Sequence, residues 1–282
     1  MERPNINFVY DGQIHRFHVD GDKSNTKNGW YLAKPNGWIV YSTWRECDNR
    51  YYINKDGTEL TPDQRKQFRK DIAIEQKLIR LRQDDAARDL KSIIDAADVK
   101  SHPYLAKKGF ANIKGYIVKD ALVIPICDIS RNYSKIISLQ YIYPDGSKRF
   151  SRGCRTKGGV HIISTDTTCN NNLIYLCEGY ATGLTVSLAT NSIVAVCFYA
   201  TNIIHVAELL KTRFPEDQII ICADNDRNTQ GNPGVSEAMK TSKKLLIKMF
   251  IPDLSNCSPN ATDFNDLMIE KSIEAVRKQL NC

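Results

Sequence analysis

Residues 173–226 read LIYLCEGYATGLTVSLATNSIVAVCFYATNIIHVAELLKTRFPEDQIIICADND. Leu173–Cys177, Ile193–Phe198 and Gln218–Ala223 are short, nearly all-apolar runs, the pattern of strands covered on both faces. Tyr180–Ala189 and Asn202–Arg213 lie between them as helices, and Asn232-Pro233 caps a third helix running to about Ile247. This βαβαβα order predicts an α/β fold: a parallel, doubly wound sheet with helices on both faces. Ligands of such sheets bind beyond the carboxyl ends of the strands. Glu178 directly follows the first strand, and Asp224 and Asp226 directly follow the third. Asp224-Asn225-Asp226 is a D-x-D on a turning chain, so both carboxylates can aim at one point. Asp263 and Asp266 precede the C-terminal helix and are placed to join them. Carboxylates that converge without partnering cations repel one another. A hard divalent cation, Mg²⁺ or Mn²⁺, relieves that repulsion and completes its shell with water and substrate phosphates. Two such ions can clamp both oxygens of an in-line phosphoryl displacement. The competing reading is an acid-rich turn open to solvent.

The charge outside this region is uneven. Residues 101–165 carry 11 Lys/Arg against 3 Asp/Glu, a net +8, whereas the whole 282-residue chain is only +7. Residues 1–60 are neutral, 61–100 carry +2 and 166–282 carry −3. The densest run is Ser147–Gly159, which holds Lys148, Arg149, Arg152, Arg155 and Lys157 and no acid. Such a run suits a polyanion or nucleotide phosphates, or else is a solvated basic face. Ala121–Ile126, Lys135–Tyr143 and Gly159–Ser164 read as strands around it, with a hairpin turn at Tyr143-Pro144-Asp145-Gly146.

Further towards the N-terminus, Thr61-Pro62-Asp63-Gln64 is a capping box opening a long helix, or two, to about Ala97; Pro103 ends it. Residues 1–60 form a small β-rich module. Asn7–Tyr10, Ile14–Val19, Gly29–Leu32, Trp38–Thr43 and Arg50–Ile53 read as strands separated by Asx-Gly turns. All three tryptophans, Trp30, Trp38 and Trp44, lie there, either as core or as stacking faces for bases. His15, His18 and Cys47 are spaced poorly for a metal, since strand residues three apart face opposite ways.

Composition excludes several classes. Hydrophobic residues make up 42% and charged residues 25%, so the chain is neither disordered nor fibrous. The longest apolar run, Ile193–Ala200, is far below the ~18 residues of a membrane span. No signal peptide is legible, and the expected compartment is the cytoplasm. The nine cysteines include no Cys-x-x-Cys pair, so neither a disulfide framework nor a zinc ribbon is expected, and no zinc. Cys127, Cys177, Cys197 and Cys222 read as small buried hydrophobes.

Cys177-Glu178-Gly179-Tyr180-Ala181-Thr182-Gly183, Ala223-Asp224-Asn225-Asp226 and Thr262-Asp263-Phe264-Asn265-Asp266-Leu267 resemble the toprim domain of topoisomerases, bacterial-type primases and some nucleases. The resemblance covers roughly residues 170–282 and is nearest to the primases of plasmids, phages and mobile elements. It implies metal binding at Glu178, Asp224 and Asp226, with Asp263 and Asp266 as further candidates. Cellular primases carry an acid where this chain has Thr182. Upstream, His102–Phe110 resembles the primase "YL-x-x-RG" stretch and Leu122–Asp128 its "PI-x-D" strand. The cations Lys148, Arg149, Arg152, Arg155 and Lys157 fall where primases bind template and nucleotide. Asp11–Phe17 resembles the "DGxIHRF" segment of mobile-element primases. No G-x-x-x-x-G-K-[ST] motor motif is present.

Four segments are therefore expected: a β-rich module (1–60), a helical linker (61–100), a basic α+β primase subdomain (101–165) and a toprim parallel-sheet domain (166–282). The implied activity is Mg-dependent synthesis of short RNA primers on single-stranded DNA. The implied partners are that template, nucleoside triphosphates and a separate replicative helicase, with no membrane. A toprim nuclease, and an inactive single-strand-binding module that recruits a helicase, are the alternatives. The neutral module is expected to steer template by stacking rather than to anchor it by charge.

Overall fold

The structure, a computed structural model, describes residues 4–22, 26–43, 50–131, 135–164 and 172–281. Trp44 and Cys47 lie outside the described residues. The chain divides into two compact units, residues 1–79 and 80–282.

The first unit contains β1 (Ile14–Phe17), β2 (Gly29–Ala33), β3 (Ile39–Thr43) and β4 (Tyr51–Ile53), an antiparallel meander in chain order. Alternation sends Tyr31, Ile39, Tyr41 and Ile53 to one face with Phe17. Leu32, Val40 and Tyr52 go to the other face, where they meet Leu60 and Phe68. Asn7–Tyr10 is not a strand: Phe8 and Tyr10 pack on the first face, and the Val9 N–H donates to the Tyr31 hydroxyl at 3.1 Å. Trp30 and Trp38 pack against the second face beside Phe68, which makes them core residues first. Helix α1 (Pro62–Ala86) starts at the expected capping box. The Thr61 N–H donates to Gln64 Oε1 at 2.9 Å and the Gln64 N–H to Thr61 Oγ1 at 3.3 Å. The division between the units falls within this helix.

The second unit continues with α2 (Leu90–Asp95), β5 (Asp98–Lys100), α3 (Pro103–Lys107), β6 (Gly115–Val118), β7 (Ala121–Asp128), β8 (Ile136–Ile142), β9 (Lys148–Phe150) and β10 (Gly159–Ile163). It ends with β11 (Leu173–Cys177), α4 (Tyr180–Thr190), β12 (Ile193–Val196), α5 (Ile203–Arg213), β13 (Gln218–Cys222), α6 (Pro233–Leu245), β14 (Lys248–Phe250), α7 (Phe264–Glu270) and α8 (Ile273–Leu280). One mixed ten-stranded sheet runs through it in the order β14-β13-β11-β12-β10-β7-β6-β5, with β8 paired to β7 and β9 to β8. β14, β13, β11 and β12 are parallel, and β10 joins them antiparallel to both β12 and β7. Segments 101–165 and 166–282 thus share a sheet.

Both faces of the parallel strands are covered. Leu176, Ile219 and Ile221 pack against Val206 and Leu210 of α5 and Ala238 of α6. Tyr175, Ile220 and Cys222 pack against Val186 of α4, Phe264 of α7 and Val276 of α8. Pro103 opens α3 rather than only ending what precedes it: it occupies the first turn, and His102 Nδ1 caps by accepting from the Tyr104 N–H at 3.2 Å. Among the described residues no helix is long and apolar enough to cross a membrane.

Candidate functional site

The carboxyl ends of β11 and β13 bring three elements together. Gly179 caps α4, and the chain passes directly from Cys177 through Glu178 into that helix. Beyond β13, the D-x-D turn is tied on both sides. The Asn225 N–H donates to Thr262 O at 2.6 Å, and the Asp226 N–H donates to Asn232 Oδ1 at 2.9 Å. Asp226 Oδ2 accepts the Gly234 N–H at 2.9 Å, at the start of α6. A Cβ on Gly234 would stand 2.4 Å from Asp224 O, so this approach requires glycine. The third element is the N-terminus of α7. Asp263 caps it by accepting the Asp266 N–H at 2.8 Å, and also accepts the Thr182 hydroxyl at 2.9 Å from α4.

The acids differ in what they are free to do. Glu178 Oε2 and Asp224 Oδ1 are buried and have no hydrogen-bond partner. Burial and the Asp226 charge push the Glu178 carboxyl up to about 7. Burial, then Asp263, Glu178 and Asp226, push Asp224 upward as well. Asp263 is raised by burial and by Asp266. Lys148 on β9 pulls both Glu178 and Asp224 back down, so this cation of the basic run lies within electrostatic reach of the acids.

Asp266 corrects the expectation of acids without cations. Its Oδ1 pairs with Lys108 at 3.1 Å and its Oδ2 accepts the Thr262 N–H at 2.9 Å. Asn265 donates to Lys108 O at 2.9 Å, which fixes the end of α3 on α7. Asp266 is therefore bound to the scaffold through both oxygens, whereas Glu178 Oε2 and Asp224 Oδ1 have no partner.

The other basic-run residues separate. Arg155 is a second correction: Asp128 holds its guanidinium at 2.5 Å, leaving the side chain 14% exposed. Asp128, at the end of β7, is 4% exposed; Arg80 joins it at 3.3 Å and the Ser130 hydroxyl at 2.6 Å. Arg155 thus pins the basic turn rather than presenting a free charge. Arg149 lies over the Tyr143 ring at 5.9 Å. Arg152 and Lys157 are exposed. Lys157 lines a groove of about 400 Å³ with Arg80, Arg155, His205 and Glu208. Phe150, on β9, meets Phe198 and Tyr199 edge-on at 6.2 Å.

Sequence reasoning did not single out Lys108 or Tyr104. Tyr104 is buried, and burial followed by the charge of Asp263 pushes its hydroxyl far up. Both lie in the Tyr104-Leu105-x-x-Lys108-Gly109 stretch, whose only signal was the family resemblance.

Residues 173–274 match the family model described as Toprim domain. This chain therefore carries a toprim domain on its second unit. Over 269 residues it is 28% identical to a DNA primase TraC of Escherichia coli, covering 86% of this chain and 24% of that protein. A second Escherichia coli DNA primase TraC is 27% identical over 267 residues, covering 86% and 18% respectively. The chain thus spans a quarter or less of the length of these relatives. Among solved structures, the zinc-binding and RNA polymerase domains of Aquifex aeolicus primase resemble it at 14% identity and a TM-score of 0.42, over 98% of this chain and 80% of that one.

The donor set suits a hard divalent ion. Two orphaned buried carboxylate oxygens raised in pKa are what removal of a cation would leave. Among the described residues no group of three or more His, Cys, Asp or Glu side chains is arranged to hold a metal ion. Mg²⁺ takes one or two carboxylates and fills its shell with water and phosphate oxygens, which the pair Glu178 and Asp224 can supply.

Proposed function

We propose that this chain is the catalytic segment of a DNA primase, joining nucleoside triphosphates on single-stranded DNA during plasmid, phage or mobile-element replication. The observation that carries the reading is the pair of unpartnered buried oxygens, Glu178 Oε2 and Asp224 Oδ1, within electrostatic reach of Lys148 at the edge of a toprim sheet. Similarity to the TraC primases supports the choice among toprim activities.

Glu178 and Asp224 would hold Mg²⁺ or Mn²⁺, with Asp226 and Asp263 beside them. The ion would supply Lewis-acid activation of a 3′-hydroxyl and charge neutralisation at the α-phosphate. In the reaction a 3′-hydroxyl oxygen bonds to the α-phosphorus of the next triphosphate as its proton passes to water, the α–β bridge breaks, and pyrophosphate leaves with the electron pair. Lys148 draws the triphosphate towards the acids. Arg149, Arg152 and Lys157 bind template or triphosphate by charge. Arg155, through Asp128, fixes the turn that carries them. Thr182 orients Asp263 without adding a fourth negative charge close to Glu178. A helicase partner and cytoplasmic action belong to the same reading.

Incubation with labelled triphosphates, Mg²⁺ and unlabelled single-stranded DNA tests it. Labelled oligonucleotides that vanish in Asp224→Asn support the primase reading. Shortened template would make the chain a nuclease instead. A gel shift with neither product would make it a binding module.

A further inference from the structure

The first half of α1 presents cations that the helix itself does not explain. A helix favours acids in its first turns and bases in its last. α1 is arranged the other way: Arg65, Lys66, Arg69 and Lys70 crowd its start with one first-turn acid, Asp63, while its last turn contains Asp84 and Asp85 and no base. These cations line a groove of about 570 Å³ with Pro62 and Ala73, and no acid lines it.

Three of the nearby carboxylates are already engaged. Glu75 is paired with Lys34, Glu59 with Arg65 at 2.6 Å, and Asp71 accepts from Gln67 at 2.7 Å. Lys66, Arg69 and Lys70 are exposed and have no carboxylate partner among the described residues. Arg69 is not loose, however: its guanidinium lies 5.6 Å from the centre of the Tyr52 ring, and that of Arg65 lies 6.0 Å from it. Tyr52 is 7% exposed and fixed in the core beneath the helix. An aromatic platform therefore holds part of the cationic row in place. Lys66 and Lys70 are one turn apart, about 6 Å along the axis, a repeat that can follow consecutive phosphates of an extended strand.

We propose that this face of α1 binds the phosphate backbone of single-stranded DNA. The choice of strand rests on the primase reading; the charge argument stands without it. The proposed contact lies on the helix that follows the β-rich module, not on the module's tryptophans. Trp30 and Trp38 pack into the core face, and the grip comes from α1 by charge.

The test uses the full chain and an oligothymidylate, with affinity measured across salt concentrations. Each phosphate neutralised on a single strand contributes about 0.7 to the slope of log affinity against log salt. Reversing Lys66, Arg69 and Lys70 together to Glu should therefore reduce the slope by about 2 and weaken low-salt binding on the order of tenfold. Unchanged melting of the variant establishes that it is folded. Should the triple variant fail to fold, Lys66→Gln and Lys70→Gln singly should each remove about 0.7 from the slope. An unaltered slope overturns the inference. A protein that binds through α1 yet extends no primer would refute the primase reading alone. One that makes primers with a slope indifferent to α1 would refute this inference alone.

Discussion

Glu178→Gln should make the metal-free protein more stable above neutral pH than the unaltered chain. Burial and Asp226 raise the Glu178 carboxyl from its ordinary 4.5 to about 7. Unfolded, the group releases its proton near the lower value; folded, it keeps the proton to the higher. Its contribution to stability is therefore fully present below 4.5 and is lost as pH rises through about 7. At 1.36 kcal/mol per tenfold change in proton affinity, the loss amounts to ~3 kcal/mol. For a domain of this size that is roughly 6–12 °C in melting temperature. Asp224 is raised too and adds to the effect. His161 opposes it: burial lowers it from 6.5 to about 4, so its share of stability grows as pH rises through that window. The unaltered protein alone would show a blunted profile, and the difference between the two proteins isolates Glu178. Melting should be followed in chelator from about pH 5 to about pH 8. The Gln variant should match the parent at the acid end and exceed it at the alkaline end, and Mg²⁺ should stabilise the parent more. A difference that stays constant with pH, or a variant less stable at about pH 8, refutes the account of Glu178 as a metal-seeking carboxylate held at a cost to the fold.

Three further outcomes follow from the same geometry. Gly234→Ala places a Cβ 2.4 Å from Asp224 O; it should cost about 1–3 kcal/mol in urea unfolding and, on the proposed primase reading, lower primer synthesis by displacing the D-x-D turn. Asp128→Ala leaves Arg155, 14% exposed, without its carboxylate; a loss of about 3–5 kcal/mol is expected, and a charge-neutral Asp128→Asn, with its Ser130 contacts kept, should lose less in the same titration. Thr182→Val removes the 2.9 Å hydrogen bond to Asp263; calorimetry should show Mg²⁺ binding weakened by about 1 kcal/mol, roughly fivefold, while Thr182→Ser restores it.

The parallel core was legible because strands buried on both faces leave an unmistakable apolar pattern, and because chain order alone fixes where their carboxyl ends fall. Glu178, Asp224 and Asp226 could therefore be placed at one edge without coordinates. The short strands escaped for the opposite reason. Asp98–Lys100 is exposed throughout and Lys248–Phe250 pairs along one side only, so neither needs an apolar signature. The fate of the cations was illegible in principle. Arg155 and Lys157 are neighbours of the same chemistry in a run without acids, yet Asp128, 27 residues earlier, claims one and not the other. The tryptophans show the same limit: composition left core and base-stacking both open, and the structure packs Trp30 and Trp38, partly buried, against the face that meets Phe68.

Two residues together explain how the acidic edge is both assembled and left incomplete. Lys108, brought by α3, neutralises Asp266 and so converts the nearest surplus acid into part of the scaffold. Thr182, brought by α4, binds Asp263 through a neutral hydroxyl, so Asp263 is oriented without another charge being added. A carboxylate at either position would deepen the repulsion that already raises Glu178 and Asp224. A cation placed closer than Lys148 would cancel it and remove the reason for a metal to bind. Lys108 and Thr182 thus both limit the repulsion at this edge without cancelling it. What remains is the pair Glu178 Oε2 and Asp224 Oδ1, buried carboxylate oxygens that have no hydrogen-bond partner.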